Sequence, residues 1–285
     1  MSGFEAEGAS AADAAQLFVK AIELCDAARN QFWEEHIQGA AGDGEDAAGE
    51  STGQCKGGQS WQGSSARRQR PLVAYSCGAY GASLADGSEF TGSYADSMTV
   101  EQLMAFHLSR LQPVKGHPAI DLLAFETVPC LKEAEAIVRL LDTERFGVPA
   151  WISFSCRDGS STNHGESFTG QCAALAARCP AVVALGVNCT APKHVPALLH
   201  GASQTLDAEA HAHGGRRPVL LCYPNSGEGW DVEGRCWVPL PGLSEPEGFA
   251  AQARDWVQAG ARIVGGCCRT TPAHITQLRK VLLDT

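Results

Sequence analysis

The feature that most constrains this chain is a regular alternation, after Arg70, of short apolar runs with longer amphipathic stretches. Alternating strands and helices favour parallel strands joined by right-handed crossovers. This pattern leaves two architectures, an open doubly wound sheet or a closed (β/α)8 barrel. Six runs have the length and composition of strands, and they are Leu72–Ser76, Ile120–Glu126, Ala150–Ser155, Val182–Asn188, Val219–Tyr223 and Arg262–Gly265.

A helix is predicted ahead of the strands, from about residue 11 to about residue 35, because apolar residues recur there at helical spacing. Ser10 precedes it in the sequence context of an N-cap. The apolar positions expected to form its buried face are Ala14, Leu17, Phe18, Ala21, Leu24, Cys25, Ala28 and Phe32.

The stretches between the strands also repeat apolar residues every three or four positions, which is typical of amphipathic helices. They predict six further helices. The apolar groups that mark them are Val100, Leu103, Phe106 and His107; Ala134, Ile137, Val138 and Leu141; Phe168, Cys172, Leu175 and Ala176; Val195, Leu198 and Leu199; Phe249, Ala253, Trp256 and Val257; and Ile275, Leu278, Val281 and Leu282.

Polar residues at the ends of the predicted strands favour the barrel. Glu126, Ser153, Asn188 and Tyr223 all lie at or near the carboxyl end of a predicted strand. In a barrel these ends converge on one mouth, so that residues from different strands form a single site. We therefore predict an α/β fold, a (β/α)8 TIM-type barrel with about six of its eight strands visible in the sequence. Residues 1–285 are predicted to form one domain.

The chain changes character between residues 37 and 70. Gly, Ala, Ser, Gln and charged residues predominate there, and almost nothing apolar is available for burial. Such a segment cannot offset the entropy lost on ordering. We predict a disordered surface insertion at 37–70.

Charge and hydropathy argue against several classes of partner. The formal net charge of −10 disfavours nucleic acid and acidic membranes. No apolar run approaches the roughly 18 to 20 residues that span a bilayer, and the N-terminus lacks the basic and apolar regions of a signal peptide. We expect a cytoplasmic protein without a membrane or nucleic-acid partner.

The twelve cysteines, in a chain without a secretory signal, indicate reduced thiols rather than a disulfide framework. Eight of them show no ligand pattern and are expected to behave as small hydrophobic side chains in the interior. These eight are Cys25, Cys77, Cys130, Cys156, Cys172, Cys179, Cys222 and Cys236.

Three other cysteines follow predicted strands. Cys267 and Cys268 come directly after the paired glycines that end one strand, and Cys189 follows Asn188 at the end of another. Adjacent cysteines in a strand point to opposite faces, so both reach one metal ion only if the backbone turns sharply, which glycine permits. Catalytic zinc sites typically have three protein ligands and one open position. The spacing is compatible with zinc at these three cysteines, with two buried thiols, or with a vicinal disulfide.

A zinc ion bound by three thiolates is a poor activator of water, because the ligands largely neutralise its charge. It binds a substrate thiol as a fourth sulfur ligand and keeps that thiol deprotonated at neutral pH. A site of this composition is therefore suited to alkylation of sulfur.

Several segments resemble the motifs of the zinc-dependent homocysteine S-methyltransferase family. The resemblance runs from near Gly3 to the C-terminus and is interrupted by the predicted insertion. The three most specific segments are Gly186–Pro192, Tyr223–Glu228 and Gly265–Pro272, and the supporting segments are Gly78–Ala82, Ala85–Gly92 and Phe125–Thr127.

The resemblance implies transfer of a methyl group from a sulfonium donor to homocysteine, with methionine as the product. The donor would be S-methylmethionine or S-adenosylmethionine, since the Tyr223 motif looks more like this branch than the betaine-using or folate-using relatives. The resemblance also implies that Cys189, Cys267 and Cys268 are the catalytic zinc ligands.

Three polar residues are candidates for binding the substrate. By the same resemblance, Glu126 pairs with the substrate ammonium through a charge-assisted hydrogen bond. The alternative for Glu126 is a solvated or ion-paired loop carboxylate. Asn188 and Ser153, as polar residues at strand ends, either line the pocket or satisfy loop backbone groups.

Members of the family begin with a strand, a helix and a second strand ahead of the segment that aligns with Gly3-Phe4-Glu5. The resemblance therefore predicts a barrel truncated at its N-terminus. Two functions of other classes stay open. One is a catalytically inactive zinc-binding remnant with a binding or regulatory role, and the other is a dithiol redox protein built on Cys267 and Cys268.

Overall fold

The computed structural model describes residues 8–38, 70–231 and 236–283. Its main sheet contains six parallel strands, and a separate antiparallel pair of short strands lies between the fifth and the last of them in the chain. The strands are β1 (Ala74–Gly78), β2 (Leu122–Val128), β3 (Ala150–Phe154), β4 (Val182–Asn188), β5 (Val219–Tyr223), the short pair β6 (Gly229–Asp231) and β7 (Cys236–Val238), and β8 (Ala261–Val264).

The strand order of the main sheet identifies the architecture. The order is β1-β2-β3-β4-β5-β8, and every neighbouring pair is parallel. A doubly wound sheet reverses its order at a switch point, whereas a barrel adds each strand on the same side of the preceding one. The predicted barrel-type fold is confirmed, and β1 and β8 are the two edges of the six-stranded segment that the described residues form.

All seven helices predicted from apolar spacing are present. The fourth is short and continues from a π-helical turn at Phe168–Cys172. Within the described part of the chain, no helix is long and apolar enough to cross a membrane. The helices are α1 (Ala11–Gln38), α2 (Val100–Leu111), α3 (Leu131–Glu144), α4 (Ala173–Ala177), α5 (Val195–His213), α6 (Pro246–Gln258) and α7 (Pro272–Leu283).

The predicted insertion at 37–70 overlaps the end of α1, which continues to Gln38. Residues 39–69 lie outside the described residues, and for them the insertion stays a prediction. The N-terminus of α1 is capped as expected, since the Ser10 hydroxyl accepts from the Asp13 backbone N–H at 3.1 Å.

Strands β1 and β2 begin and end two residues later than predicted. The Asp121 carboxylate accepts from the Val73 backbone N–H at 2.7 Å, and the Asp121 N–H donates to the Val73 carbonyl at 3.0 Å. The Asp121 side chain therefore replaces a backbone acceptor of the β1–β2 pairing, and the regular pairing of the two strands starts at Ala74 and Leu122. Leu72 lies outside the sheet and is 69% exposed.

Helix α1 presents a different face to the sheet from the one predicted. Ala14 of the predicted face is buried, as is Ile22, which is not on that face, whereas Leu17 and Leu24 of the predicted face are 51% and 58% exposed. Positions one residue away from the predicted stripe contact the core, so the helix is rotated by roughly 100° about its axis.

A buried cation explains this rotation. Arg29 is 7% exposed, and its guanidinium pairs with Asp26 of the same helix and with Asp121 ahead of β2. A buried guanidinium requires such partners, so the ion pair orients α1 in preference to its larger apolar side chains. The same rotation leaves Cys25 exposed, and the expectation that it is buried is wrong. The side chain of Cys236 lies outside the described residues, and the other six expected cysteines are buried: Cys77, Cys130, Cys156, Cys172, Cys179 and Cys222.

The hydrophobic core lies between the sheet and the helices. Phe125 and Phe154 are fully buried there, together with Trp256 of α6. Successive side chains of a strand point to opposite faces, so the neighbours Glu126 and Ser153 lie on the inner face of the barrel segment. The polar residues are therefore displayed on the side where a barrel fold forms its site.

Candidate metal centre and substrate site

The six parallel strands end at one edge of the sheet, and the predicted site residues gather at that edge. Glu126 lies near the end of β2, Asn188 is the last residue of β4, and Tyr223 is the last residue of β5. Cys189 follows β4 directly, and Cys267 comes three residues after β8.

The sulfur atoms of three cysteines meet between the ends of β4 and β8. The Cys189 sulfur is 2.9 Å from the Cys267 sulfur and 3.5 Å from the Cys268 sulfur, and the latter two are 4.0 Å apart. Within the described residues, this is the one group of three or more side chains that could hold a metal ion. All three are free thiols, and their separations are well above the roughly 2.05 Å of an S–S bond. The structure contains no vicinal disulfide at Cys267–Cys268.

Backbone hydrogen bonds between neighbouring loops fix the paired cysteines. The Cys267 N–H donates to the carbonyl of Pro224 at 2.8 Å, and the Ser226 N–H donates to the carbonyl of Cys268 at 3.0 Å. Two residues of the Tyr223 motif, in the loop after β5, therefore fix the backbone positions of both Cys267 and Cys268 in the loop after β8.

The glycine ahead of the cysteines is needed for space rather than for a left-handed backbone. A Cβ on Gly266 would lie 2.4 Å from the Thr270 hydroxyl oxygen, closer than any real contact, whereas its φ is not positive. The left-handed residue of this turn is Arg269, with φ +68°, and its guanidinium pairs with Glu228 at 2.6 Å. The expectation that the paired glycines permit the turn ahead of the cysteines stays a prediction, since neither has a positive φ and the left-handed residue, Arg269, lies after the cysteines.

Asn188 joins the end of β2 to the thiol cluster. Its amide oxygen accepts from the Thr127 N–H at 2.8 Å, and its amide nitrogen donates to the Thr127 hydroxyl at 2.7 Å and to the Cys267 sulfur at 3.9 Å. Thr127 and Cys189 both have left-handed backbones, with φ of +60° and +47°. Such conformations cost energy in residues other than glycine and concentrate at functional sites.

The three thiols differ in acidity. The hydrogen bond between the Cys189 and Cys267 sulfurs lowers the pKa of Cys267. The same bond, together with burial, raises the pKa of Cys189, and burial raises the pKa of Cys268. The cluster therefore stabilises one thiolate, the form in which cysteine binds metals.

This donor set suits a thiophilic metal ion. Tetrahedral zinc with Zn–S bonds near 2.3 Å has its sulfur ligands about 3.8 Å apart. The observed separations of 2.9 to 4.0 Å are close to that spacing, and only the Cys189–Cys267 pair has to open. Cys268 is exposed, so one side of the cluster is accessible to a further ligand. Three protein ligands with one accessible side are the arrangement of a catalytic zinc site.

Glu126 forms a second polar group on the inner face. The Ser76 hydroxyl donates to its carboxylate from the neighbouring strand β1. Burial and, second, the negative charge of Glu126 raise the pKa of the Tyr223 phenol. Tyr223 therefore stays neutral beside a carboxylate that is partly open to solvent.

The Tyr223 phenol is the centre of a hydrogen-bonded chain across the inner face. The indole N–H of Trp151 donates to its oxygen at 3.1 Å, and the Ser153 hydroxyl is bonded to the same oxygen. The Ser153 hydroxyl also lies 3.3 Å from the carbonyl of Phe125, to which it can donate. Both hydroxyl groups thus have partners inside the protein.

The predicted site residues fall into two groups in the structure. Asn188 belongs to the thiol cluster, whereas Glu126 and Ser153 belong to the network around Tyr223. Their roles in binding substrate stay predictions. Sequence reasoning included Thr127 in the motif segment Phe125–Thr127 without giving it a role, and it missed Trp151. Strand alternation could have identified Trp151, since it lies two positions before Ser153 and so shares its face.

Known proteins with similar sequences include methyltransferases named for homocysteine and selenocysteine. A family described as homocysteine S-methyltransferase matches residues 2–282. Homocysteine S-methyltransferase 3 of Arabidopsis thaliana is 39% identical over 287 residues, which cover 100% of this chain and 73% of the relative. Selenocysteine Se-methyltransferase of Brassica oleracea var. italica is 36% identical and is covered to 72% of its length.

A solved structure is similar to this chain as well. It is the metallated form of the homocysteine methyltransferase MmuM from Escherichia coli, with a TM-score of 0.69 and 35% sequence identity. The similarity covers 98% of this chain and 74% of that chain. Since motifs, strand order and similarity over nearly the whole sequence agree, the chain belongs to the homocysteine S-methyltransferase family.

Proposed function

We propose that this protein transfers a methyl group from a sulfonium donor, S-methylmethionine or S-adenosylmethionine, to the thiol of homocysteine, giving methionine. The observation that carries this proposal is the convergence of Cys189, Cys267 and Cys268, whose sulfur atoms lie within 4.0 Å of one another. Membership of the family supplies the acceptor, and the resemblance of the Tyr223 motif to the sulfonium-using branch supplies the class of donor.

The same three cysteines would hold a zinc ion. When bound by three thiolates, zinc favours the deprotonated form of a further sulfur ligand, which is the nucleophilic form of homocysteine. The contribution of the chain is to hold the three sulfurs together. Three hydrogen bonds hold the sulfurs in place. The Asn188 amide donates to the Cys267 sulfur, the Cys267 N–H donates to the Pro224 carbonyl, and the Ser226 N–H donates to the Cys268 carbonyl.

Glu126 is proposed to bind the ammonium group of homocysteine. Its carboxylate lies on the inner face, is fixed by the Ser76 hydroxyl and retains acceptor capacity toward the solvent side. A charge-assisted hydrogen bond to an ammonium group is stronger than one between neutral groups and would orient the amino acid.

We propose that Asn188 and Ser153 support the walls of the pocket through hydrogen bonds within the protein and do not bind the substrate directly. The Asn188 amide already bonds Thr127 and Cys267, and the Ser153 hydroxyl already bonds Tyr223 and the carbonyl of Phe125. A side chain whose bonds are satisfied inside the protein gains little by exchanging them for a ligand.

The proposed reaction is an in-line displacement at a methyl carbon. The thiolate sulfur of homocysteine forms a bond to this carbon, while the bond from the carbon to the donor sulfonium breaks and its electron pair stays on the donor sulfur. The acceptor thiol loses its proton before the attack, so no general base is required in the displacement itself. Alignment of the two sulfurs with the methyl carbon is then the main contribution of the protein.

A selenol is a reasonable second acceptor. A relative of this chain is named selenocysteine Se-methyltransferase, and a site composed of soft sulfur donors also suits selenium. Comparing rates with homocysteine and selenocysteine at equal concentration tests this preference. A selenocysteine rate below about one hundredth of the homocysteine rate, some 2.7 kcal/mol, would exclude it as a significant acceptor.

A second candidate function is a catalytically inactive zinc-binding protein of the same fold. It is favoured by the open inner face of the described segment, where Ser76 beside Glu126 is exposed and Ile263 of β8 is 42% exposed. Water that reaches this face would compete with bound substrate.

The experiment is an assay of methionine formation by the purified, zinc-loaded chain with homocysteine and either sulfonium donor. We expect activity in the wild type and in Cys25→Ser, whose thiol is exposed on α1 and remote in sequence from the cluster. We expect neither activity nor bound zinc in Cys189→Ser. Bound zinc without methionine formation would refute methyl transfer and favour the inactive protein.

A further inference from the structure

The loop between β1 and α2 leaves the sheet at the same edge as Glu126. It comprises residues 79–99 and contains three short 3-10 turns, at Tyr80–Ser83, Ser88–Phe90 and Ser93–Asp96. The loop packs tightly on itself, since a Cβ on Gly81 would lie 2.5 Å from the Glu89 backbone nitrogen. We refer to residues 79–99 as the β1–α2 loop.

A single buried carboxylate holds this loop. Glu133 lies in the first turn of α3 and is 0% exposed. It accepts from the Tyr80 N–H at 2.8 Å and from the Tyr94 hydroxyl, which lie at the two ends of the loop. It also bonds the Nε2 atom of the buried His107 at 2.8 Å. The carboxylate thus ties both ends of the loop to α2 and α3.

The neighbouring contacts reinforce this attachment. The Tyr80 ring packs edge-on against Phe106 of α2, with 5.1 Å between ring centroids. The Lys132 ammonium bonds the carbonyl of Ala95. Burial of a carboxylate costs free energy unless the group is hydrogen-bonded. The Tyr80 and Tyr94 groups of the loop supply two of the bonds of Glu133, so a change in the conformation of the loop would leave this carboxylate without these two partners.

The anchored loop carries two buried polar atoms that make no hydrogen bond of standard geometry within the described residues. Within the described residues, the Oε2 atom of Glu89 is buried without a hydrogen-bond partner. The Ser88 hydroxyl makes no hydrogen bond of standard geometry, although it lies close enough to the Asp86 carboxylate to lower the pKa of that group. An unpaired buried polar atom costs about 1–3 kcal/mol and calls for an explanation. A ligand that supplies hydrogen-bond donors is such an explanation.

We propose that Glu133 is a positioning residue, which holds the β1–α2 loop so that Ser88 and Glu89 bind the sulfonium methyl donor. The inference rests on the proposed function, in which the thiol cluster and Glu126 already take the thiol and the ammonium of homocysteine. The donor, a sulfonium amino acid with a net positive charge, is left without an assigned partner. The Glu89 carboxylate complements that charge.

The strand order supports the assignment to the donor. Strand β1 lies next to β2, and Gly78 at its end pairs in register with Glu126. The β1–α2 loop therefore begins beside the proposed ammonium site of homocysteine, and the donor bound to it is proposed to lie next to that site. In-line transfer requires donor and acceptor to lie side by side in this way.

The test is a kinetic comparison of zinc-loaded wild type, Glu133→Ala and Glu133→Gln with both substrates varied. We expect Glu133→Ala to raise KM for S-methylmethionine by about tenfold or more, which is at least 1.4 kcal/mol. We expect KM for homocysteine to change less than twofold and the zinc content to stay constant. Glu133→Gln keeps one acceptor oxygen and should show a smaller rise, as should Tyr94→Phe.

The control and the binding experiment separate this inference from the proposed function. Glu101→Gln, a change at a residue 74% exposed on α2, should leave both KM values unchanged. Calorimetry should show tenfold weaker binding of S-methylmethionine to Glu133→Ala than to wild type, whether or not methyl transfer occurs. Equal rises in both KM values, an unchanged KM for the donor, or no binding of S-methylmethionine to wild type would overturn the inference. Should Glu133→Ala not fold, Tyr94→Phe and Ser88→Ala carry the same test.

Discussion

Replacement of Asn188 by alanine tests how the thiol cluster is supported. The substitution removes two hydrogen bonds to Thr127, at 2.7 and 2.8 Å, and the contact of 3.9 Å with the Cys267 sulfur. Asn188 is 2% exposed, while Thr127 is partly exposed, so water can reach some of the groups left behind. At about 1 kcal/mol for each lost bond, we expect the free energy of unfolding to fall by about 2 kcal/mol.

The effect on the metal is worked from the same contacts. Loss of a group that orients a metal ligand typically costs 10–100-fold in affinity, and a contact of 3.9 Å is a weak one. We therefore expect zinc affinity to fall by about tenfold. Urea unfolding measures the stability, and competition with a chelator of known affinity measures the zinc dissociation constant.

A surface amide supplies the control for this experiment. Gln204→Ala removes an exposed amide of α5 that bonds His200 at 3.1 Å, and it should change the stability by less than about 0.5 kcal/mol. Unchanged zinc affinity in Asn188→Ala, together with the expected loss of stability, would show that Asn188 only joins β2 to β4. If neither quantity changes, the reasoning from these hydrogen bonds is refuted.

Other parts of the fold give three more expected outcomes. Arg29→Met leaves Asp121 without its cation and leaves Asp26 with Arg70 alone, at 3.5 Å. We expect the free energy of unfolding in urea to fall by about 2 kcal/mol, and a change below about 0.5 kcal/mol would contradict the anchoring of α1. Gly186→Ala places a Cβ 1.7 Å from the Leu221 carbonyl oxygen, so β4 and β5 must separate; we expect a loss of more than about 3 kcal/mol, and a melting temperature like that of wild type would refute the close approach. The backbone N–H of Ser160 lowers the pKa of Asp158 to about 2 in the folded protein. Because this pKa lies below that of an aspartate in the unfolded chain, the ionised carboxylate stabilises the fold at higher pH, and this stabilisation is lost as the pH falls from about 4 to about 2. Asp158→Asn should flatten the decline of the unfolding free energy across that range, and an unchanged slope would contradict the shift.

The elements of the fold were predictable because they depend on local periodicity. Apolar residues every three or four positions mark α3 and α6, and short apolar runs mark β4 and β5 with the observed bounds. These patterns follow from the geometry of the helix and the strand, which any stretch of sequence carries by itself. Strand bounds failed at β1 and β2, where the side chain of the distant Asp121 replaces a ladder bond.

The candidate site was predictable only in its residue types. Cysteines after two predicted strands indicated a metal centre, because parallel strands end at one edge of the sheet. The distances between their sulfurs depend on the pairing of β4, β5 and β8, which joins residues more than seventy positions apart. The supporting bond from Asn188 to Cys267 depends on the same pairing.

By itself, the amino-acid sequence determined the order and type of the elements, the barrel class and the family, since these follow from local patterns and motifs. Only the tertiary structure decided which face of α1 is buried, that Arg269 rather than glycine makes the left-handed turn after the cysteines, and that Glu133 holds the β1–α2 loop. Glu133 in a first helical turn has the sequence context of an ordinary acidic residue near a helix N-terminus. Its burial and its three partners arise from long-range packing. A buried charge requires partners, and the residues that serve as its partners are far apart in the sequence, so no local pattern identifies them.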